Sequence, residues 1–75
     1  MSNYRSPGGD LVQAEQWIGE PMEGVEVHNR RYGKVGVIQT PSGPAWLNVG
    51  DWLVRHGDIL AIVTPYQFTA GYVPV

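Results

Sequence analysis

The chain has 75 residues, no cysteine and a formal net charge of −2. A domain of this length sits near the lower limit for a single core, hiding only about 60% of its unfolded surface, so a deep substrate pocket is not expected. The missing cysteine excludes disulfides, cysteine zinc sites and thiol nucleophiles, the acidic balance argues against a dedicated nucleic-acid binder, and no apolar run approaches membrane-spanning length.

In chain order, Met1 to Gly9 lacks the apolar middle of a secretion signal. Residues 1–10 are expected to be a flexible N-terminal segment, the loose start of a complete, soluble chain, and residues 11–75 a single β-rich domain. Leu11 to Ile18 alternates without a cleanly apolar face and is read as a strand, although a helical reading fits parts of it. Gly19, Pro21 and Gly24 then break the chain. Val25-Glu26-Val27 is a brief strand, and Asn29 to Gly33 is a turn or exposed loop carrying Arg30 and Arg31. Lys34 to Thr40 is the next strand. Pro41-Ser42-Gly43 suits a three-residue hairpin loop with Gly43 in the left-handed conformation that makes a bulge, and Ala45 to Val49 is the antiparallel return. Gly50-Asp51 supplies a tight turn, Trp52-Leu53-Val54 is extended, and Arg55-His56-Gly57-Asp58 makes a second hairpin turn. The continuous apolar run Ile59 to Val63 is expected to be the most buried strand. Thr64-Pro65 is a helix-start signal, with threonine as cap and proline at the first helical position. The helix ends by Gly71, and Tyr72 to Val75 is extended. The fold class is mainly β: a small antiparallel sheet or partly open barrel of about four to five short strands, with one short helix near the C-terminus.

Chemistry is sparse. His28 lies two residues from Glu26, and His56 two from Asp58, the spacing that shares one strand face; each pair supplies only two ligands, so no metal and no cofactor are expected. Ser2, Ser6 and Ser42 stand in tail or turn positions without a neighbouring base. There is no nucleophile elbow, phosphate loop or HExxH helix. Glu20 and Glu23 flank Pro21 in a breaker-rich loop and are accounted for as solvated carboxylates, so the chain is not expected to be an enzyme. Asp10, Glu15, Glu20, Glu23 and Glu26 make the first third acidic, and Arg30, Arg31 and Lys34 follow as a basic cluster. The charges fit either a solvated surface with ion pairs worth about 0–1 kcal/mol each or a bipolar face that orients a partner. Arg30-Arg31-Tyr32-Gly33-Lys34 mixes cations with an aromatic, as nucleic-acid surfaces do, at low specificity. Core packing is the expected role of most of the tryptophans, which leaves Tyr4, Tyr32 and Tyr72 as the better interface candidates.

Tyr4-Arg5, Ala14-Glu15-Gln16-Trp17-Ile18-Gly19, Thr40-Pro41-Ser42-Gly43, Val49-Gly50-Asp51-Trp52-Leu53, Pro65-Tyr66-Gln67-Phe68 and Tyr72-Val73-Pro74-Val75 follow one another in an order that resembles a family of small proteins of tailed phages and prophages. The family runs from the early arginine through lysine and proline into a hydrophobic strand, whereas here Ser6-Pro7-Gly8-Gly9-Asp10 intervenes. Its charged glycine-containing turn after the Gly-Asp-Trp strand is replaced by Arg55-His56-Gly57-Asp58. The size and phage character also resemble the small inhibitors that lytic phages direct at host RNA polymerase, one of them from a Xanthomonas phage. The resemblance implies a phage-encoded, protein-binding regulator that binds host RNA polymerase in the host cell cytoplasm and inhibits transcription initiation. Such a protein takes part in host takeover as a monomer, with no membrane association. The alternatives are a phage accessory or structural protein without a transcription role, and a weak nucleic-acid-binding module. The partner-binding residues expected are Tyr4, Arg5, Arg30, Arg31, Tyr32 and Lys34.

Overall fold

Short runs of β-branched and aromatic residues between glycine turns favour strands over helices, and in the computed structural model, which describes residues 1–75, they form two antiparallel sheets. The elements are β1 (Ser2–Arg5), β2 (Leu11–Gln16), β3 (Glu26–Arg30), β4 (Gly33–Thr40), β5 (Gly43–Asn48), β6 (Trp52–His56), β7 (Ile59–Val63), α1 (Pro65–Gly71) and β8 (Val73–Pro74). One sheet has the order β7-β6-β2-β1-β8 and the other β3-β4-β5; they do not close into a barrel.

Glycines set the hairpins. Thr40 pairs with Gly43 across Pro41-Ser42 and Gln39 pairs with Pro44, so the loop has two residues and a one-to-one register in place of the three-residue bulged loop expected, although Gly43 does take a positive φ of 114. Arg30 pairs with Gly33 across Arg31-Tyr32 in the same way, with Gly33 at φ 135. At the β6–β7 turn Gly57 occupies the first central position with φ 62, the arrangement of a type II′ turn. The helix begins where the sequence predicts. The Thr64 hydroxyl accepts from the Gln67 backbone N–H, and the Gln67 side chain accepts from the Thr64 N–H, a complete capping box.

Strand alternation divides the core in two. Val12 and Ala14 of β2, Val54 of β6 and Val63 of β7 turn to one face of the larger sheet, where Phe68 of α1 covers them. Trp17, which follows β2, and Leu53 of β6 turn to the other face and meet Ile38 and Leu47 from the smaller sheet. Trp17 is fully buried, and its indole N–H donates to the Glu20 carbonyl at 2.8 Å, so the one polar atom of the ring is satisfied. Gly36 of β4 lies directly under this ring.

The mainly β class and the short C-terminal helix stand, with more strands than the four to five expected. Three further expectations are corrected. Residues 1–10 are not a loose start outside the fold: β1 lies between β2 and β8, with Tyr4 opposite both Val12 and Pro74. Ser6 to Asp10 is a turn closed by the Ser6 N–H to Asp10 carbonyl bond, and Arg5 donates to the Gly9 carbonyl at 3.0 Å. The run Ile59–Val63 is an edge strand rather than the most buried one; only Val63 is buried, and Ile59 is 68% exposed. Asn29 and Arg30 belong to β3, so the loop that carries the basic cluster is only Arg31-Tyr32.

Candidate functional site

The smaller sheet packs its inner face on Trp17 and leaves its outer face to solvent. The register sets Val37 between Glu26 and Trp46, and Val35 between His28 and Asn48. Paired residues in an antiparallel ladder point to the same side, so Glu26, His28, Arg30, Val35, Val37 and Trp46 share the outer face. Val35 and Val37 are nevertheless buried, because the larger side chains beside them cover them. Trp46 is the principal cover and is itself 53% exposed. The Arg30 guanidinium lies 5.5 Å from the centre of the Trp46 ring, a cation–π contact worth about 0.5–1 kcal/mol at an exposed site. The His28 ring stands 6.1 Å from the same indole, and its Nε2 is 3.0 Å from Glu26 Oε1.

At the hairpin tip this surface opens into a cleft of about 490 Å³ lined by Arg30, Arg31, Tyr32, Val35 and Trp46. Tyr32 is 85% exposed. The cleft thus combines a valine floor, two aromatic walls and two guanidinium groups, without an acidic side chain among its lining residues. A second cleft, of about 590 Å³, lies between β2 and the Pro21–Gly24 turn and is predominantly polar, with Glu15, Glu23 and Arg55 on its walls.

Of the residues expected from sequence to bind a partner, the structure brings Arg30, Arg31 and Tyr32 together. Lys34 is exposed but follows the opposite parity of β4, beside Gly19, and does not line the cleft. Tyr4 and Arg5 belong to the other sheet. Tyr4 packs edge-on to Phe68 at 4.9 Å and to Trp52 at 5.8 Å, and Tyr72 stacks on Phe68 at 4.8 Å. Both tyrosines, half-buried, pack against α1 on its sheet and lie outside the cleft. Trp46 is the residue that sequence reasoning passed over. Its signal was only partial: alternation opposes Trp46 to Leu47, but a three-residue Pro41-Ser42-Gly43 loop would set Val37 against Leu47, and only the two-residue Pro41-Ser42 loop pairs Val37 with Trp46.

No three His, Asp or Glu side chains are grouped so as to hold a metal ion. Glu26 and His28 form a two-residue pair, and His56 and Asp58 straddle the β6–β7 turn instead of sharing a strand face. No helix is long and apolar enough to cross a membrane. No family model, curated protein or solved structure matches the chain.

Proposed function

We propose that this protein is a non-catalytic binding module that receives a protein partner on the outer face of β3–β4–β5. The observation that carries the proposal is the half-exposed Trp46 with Arg30 against its ring, next to Tyr32 at the mouth of the cleft. Tryptophan, tyrosine and arginine are the residues on which interface energy concentrates. Arg30 and Trp46 stand on paired strands of the sheet, with Tyr32 in the two-residue turn beside them, so less ordering entropy opposes binding than for a flexible loop. Arg30 and Arg31 favour an acidic patch on the partner and give an association rate that falls with salt.

The phage-like motif order supplies the partner we place first, host RNA polymerase, with inhibition of transcription initiation as the consequence. The test is promoter-dependent transcription by the host enzyme with saturating protein, paired with direct binding measurements. Inhibition is expected with the native chain and not with the Trp46→Ala, Arg30→Glu double variant, whose fold is checked by circular dichroism. Unchanged transcription removes the polymerase assignment. Retention of a labelled single strand at physiological salt, lost in the same variant, would instead make the cleft a base-stacking surface.

A further inference from the structure

The two sheets have four edges, and three of them are guarded. β8 is two residues long and contains Pro74, β5 carries Pro44, and β3 carries Glu26, His28 and Arg30. Short length, proline and charge are the means by which edge strands are kept from pairing. β7 occupies the remaining edge and has none of them. It is five uninterrupted apolar residues, Ile59-Leu60-Ala61-Ile62-Val63, joined to β6 on one side and to no strand on the other.

The direction of its free backbone groups follows from the turn. In a hairpin with a two-residue loop the closing pair exchanges both hydrogen bonds, and such pairs then alternate along the ladder. His56 with Ile59, Val54 with Ala61 and Trp52 with Val63 are therefore the bonded pairs, and Leu60 and Ile62 direct their N–H and C=O groups outward. A second copy of β7 laid antiparallel, with the two-fold axis at Ala61, satisfies all of these groups. Leu60 exchanges two bonds with Ile62 of the partner subunit, and Ile62 exchanges two with Leu60 of the partner subunit. Ala61 meets its own copy in the close, non-bonded pair, where Cα atoms are about 4.5 Å apart and the smallest side chain of the strand is the one present. The same register sets Ile59 against Val63 of the partner subunit and Asp58 against Thr64 of the partner subunit, so that no like charges oppose each other.

We infer that β7 is an interaction edge whose occupant is a second copy of this chain, paired about a two-fold axis at Ala61 to give one sheet continuous across both subunits. This departs from the monomer expected from the sequence, and it is independent of the cationic cleft, which lies on the other sheet.

The experiment is sedimentation equilibrium of the full chain over a dilution series reaching millimolar protein, with amide hydrogen exchange followed in parallel. The mass is expected to rise from 8.3 kDa to twice that value, with the Leu60 and Ile62 amides gaining protection in step. Ala61→Lys alters a side chain exposed in the single chain. It is expected to restore the monomer mass while leaving the circular dichroism spectrum unchanged, because it sets two ammonium groups against each other at the axis. Ile59→Lys, a second exposed position, is expected to weaken the dimer at least tenfold. A monomer mass at millimolar protein overturns the inference. So does a dimer that survives Ala61→Lys, or a dimer in which the Leu60 and Ile62 amides stay open. Protection of those amides only in a complex with a different protein overturns it as well, and assigns the edge to that protein.

Discussion

Replacing Gly36 with alanine tests how closely the two sheets are held. Gly36 pairs with Val27 and Leu47 in the middle of the smaller sheet, and its φ is not in the positive range, so alanine can adopt the backbone conformation there. On conformational entropy alone the substitution would favour the folded state by about 0.5–1 kcal/mol. The added Cβ, however, would lie 2.8 Å from Val25 Cγ1 and 3.3 Å from both Cζ2 and Cη2 of Trp17. Val25 is half-buried at the end of a turn and can retreat slightly. Trp17 cannot, since it is fully buried and its indole N–H is bonded to the Glu20 carbonyl. Overpacking of this kind costs about 1–3 kcal/mol; the middle of that range, about 2 kcal/mol, set against the entropic gain leaves a net loss of about 1–1.5 kcal/mol. At about 4–8 °C per kcal/mol for a domain of this size, Tm should fall by about 4–12 °C. The assay is thermal unfolding followed by circular dichroism on the single variants Gly36→Ala and Val25→Ala and on the double variant. The double variant should lose less than the sum of the two singles, because Val25→Ala removes the shortest contact. A Gly36→Ala protein as stable as the native chain, or more so, would show that the Trp17 ring does not constrain β4 and would refute the packing argument.

Thr64→Ala removes the hydroxyl that caps α1 and should cost about 1 kcal/mol; chemical denaturation would report it as a lower midpoint with an unchanged slope. Trp46→Ala should lower stability by about 1–3 kcal/mol, since it removes the cation–π contact and also uncovers Val35 and Val37, while abolishing partner binding in a calorimetric titration. A loss of about 4–5 kcal/mol, the scale of a fully buried tryptophan, would place Trp46 in the core and remove it from the site.

Much of the fold can be read from the chain because its turns are written in residues with unambiguous conformational preferences. Gly43 and Gly57 mark hairpin turns and take positive φ there, and Thr64-Pro65 with Gln67 starts a helix at the expected residue. β1 escapes because Ser2-Asn3-Tyr4-Arg5 carries no apolar alternation, and Pro7-Gly8-Gly9 after it suggests a loose end rather than a turn. Its place in the sheet comes from pairing with β2 and β8, and the tertiary partner decides. The β7 expectation fails for a related reason. An apolar run of five residues marks a strand, but whether a neighbour lies on each side is set by topology. The site divides in the same way. The basic tip is visible in Arg30-Arg31-Tyr32, whereas the outward aspect of Trp46 depends on the choice of which sheet face meets Trp17. That choice is fixed by Gly36, whose missing side chain makes room for the indole.

The three tryptophans lie at three different depths. Trp17 is sealed between the sheets, Trp52 stacks on Phe68 with ring centres 3.7 Å apart, and Trp46 stands half in water. Their emission is therefore separable without any label. The sealed ring emits at short wavelength and resists aqueous quenchers, the stacked ring reports the seating of the helix, and the wet ring is red-shifted and open to iodide. A ligand that covers the outer face should shield only the red component, and an agent that lifts the helix should disturb only the stacked one. Loss of the sandwich itself should merge all three into one spectrum.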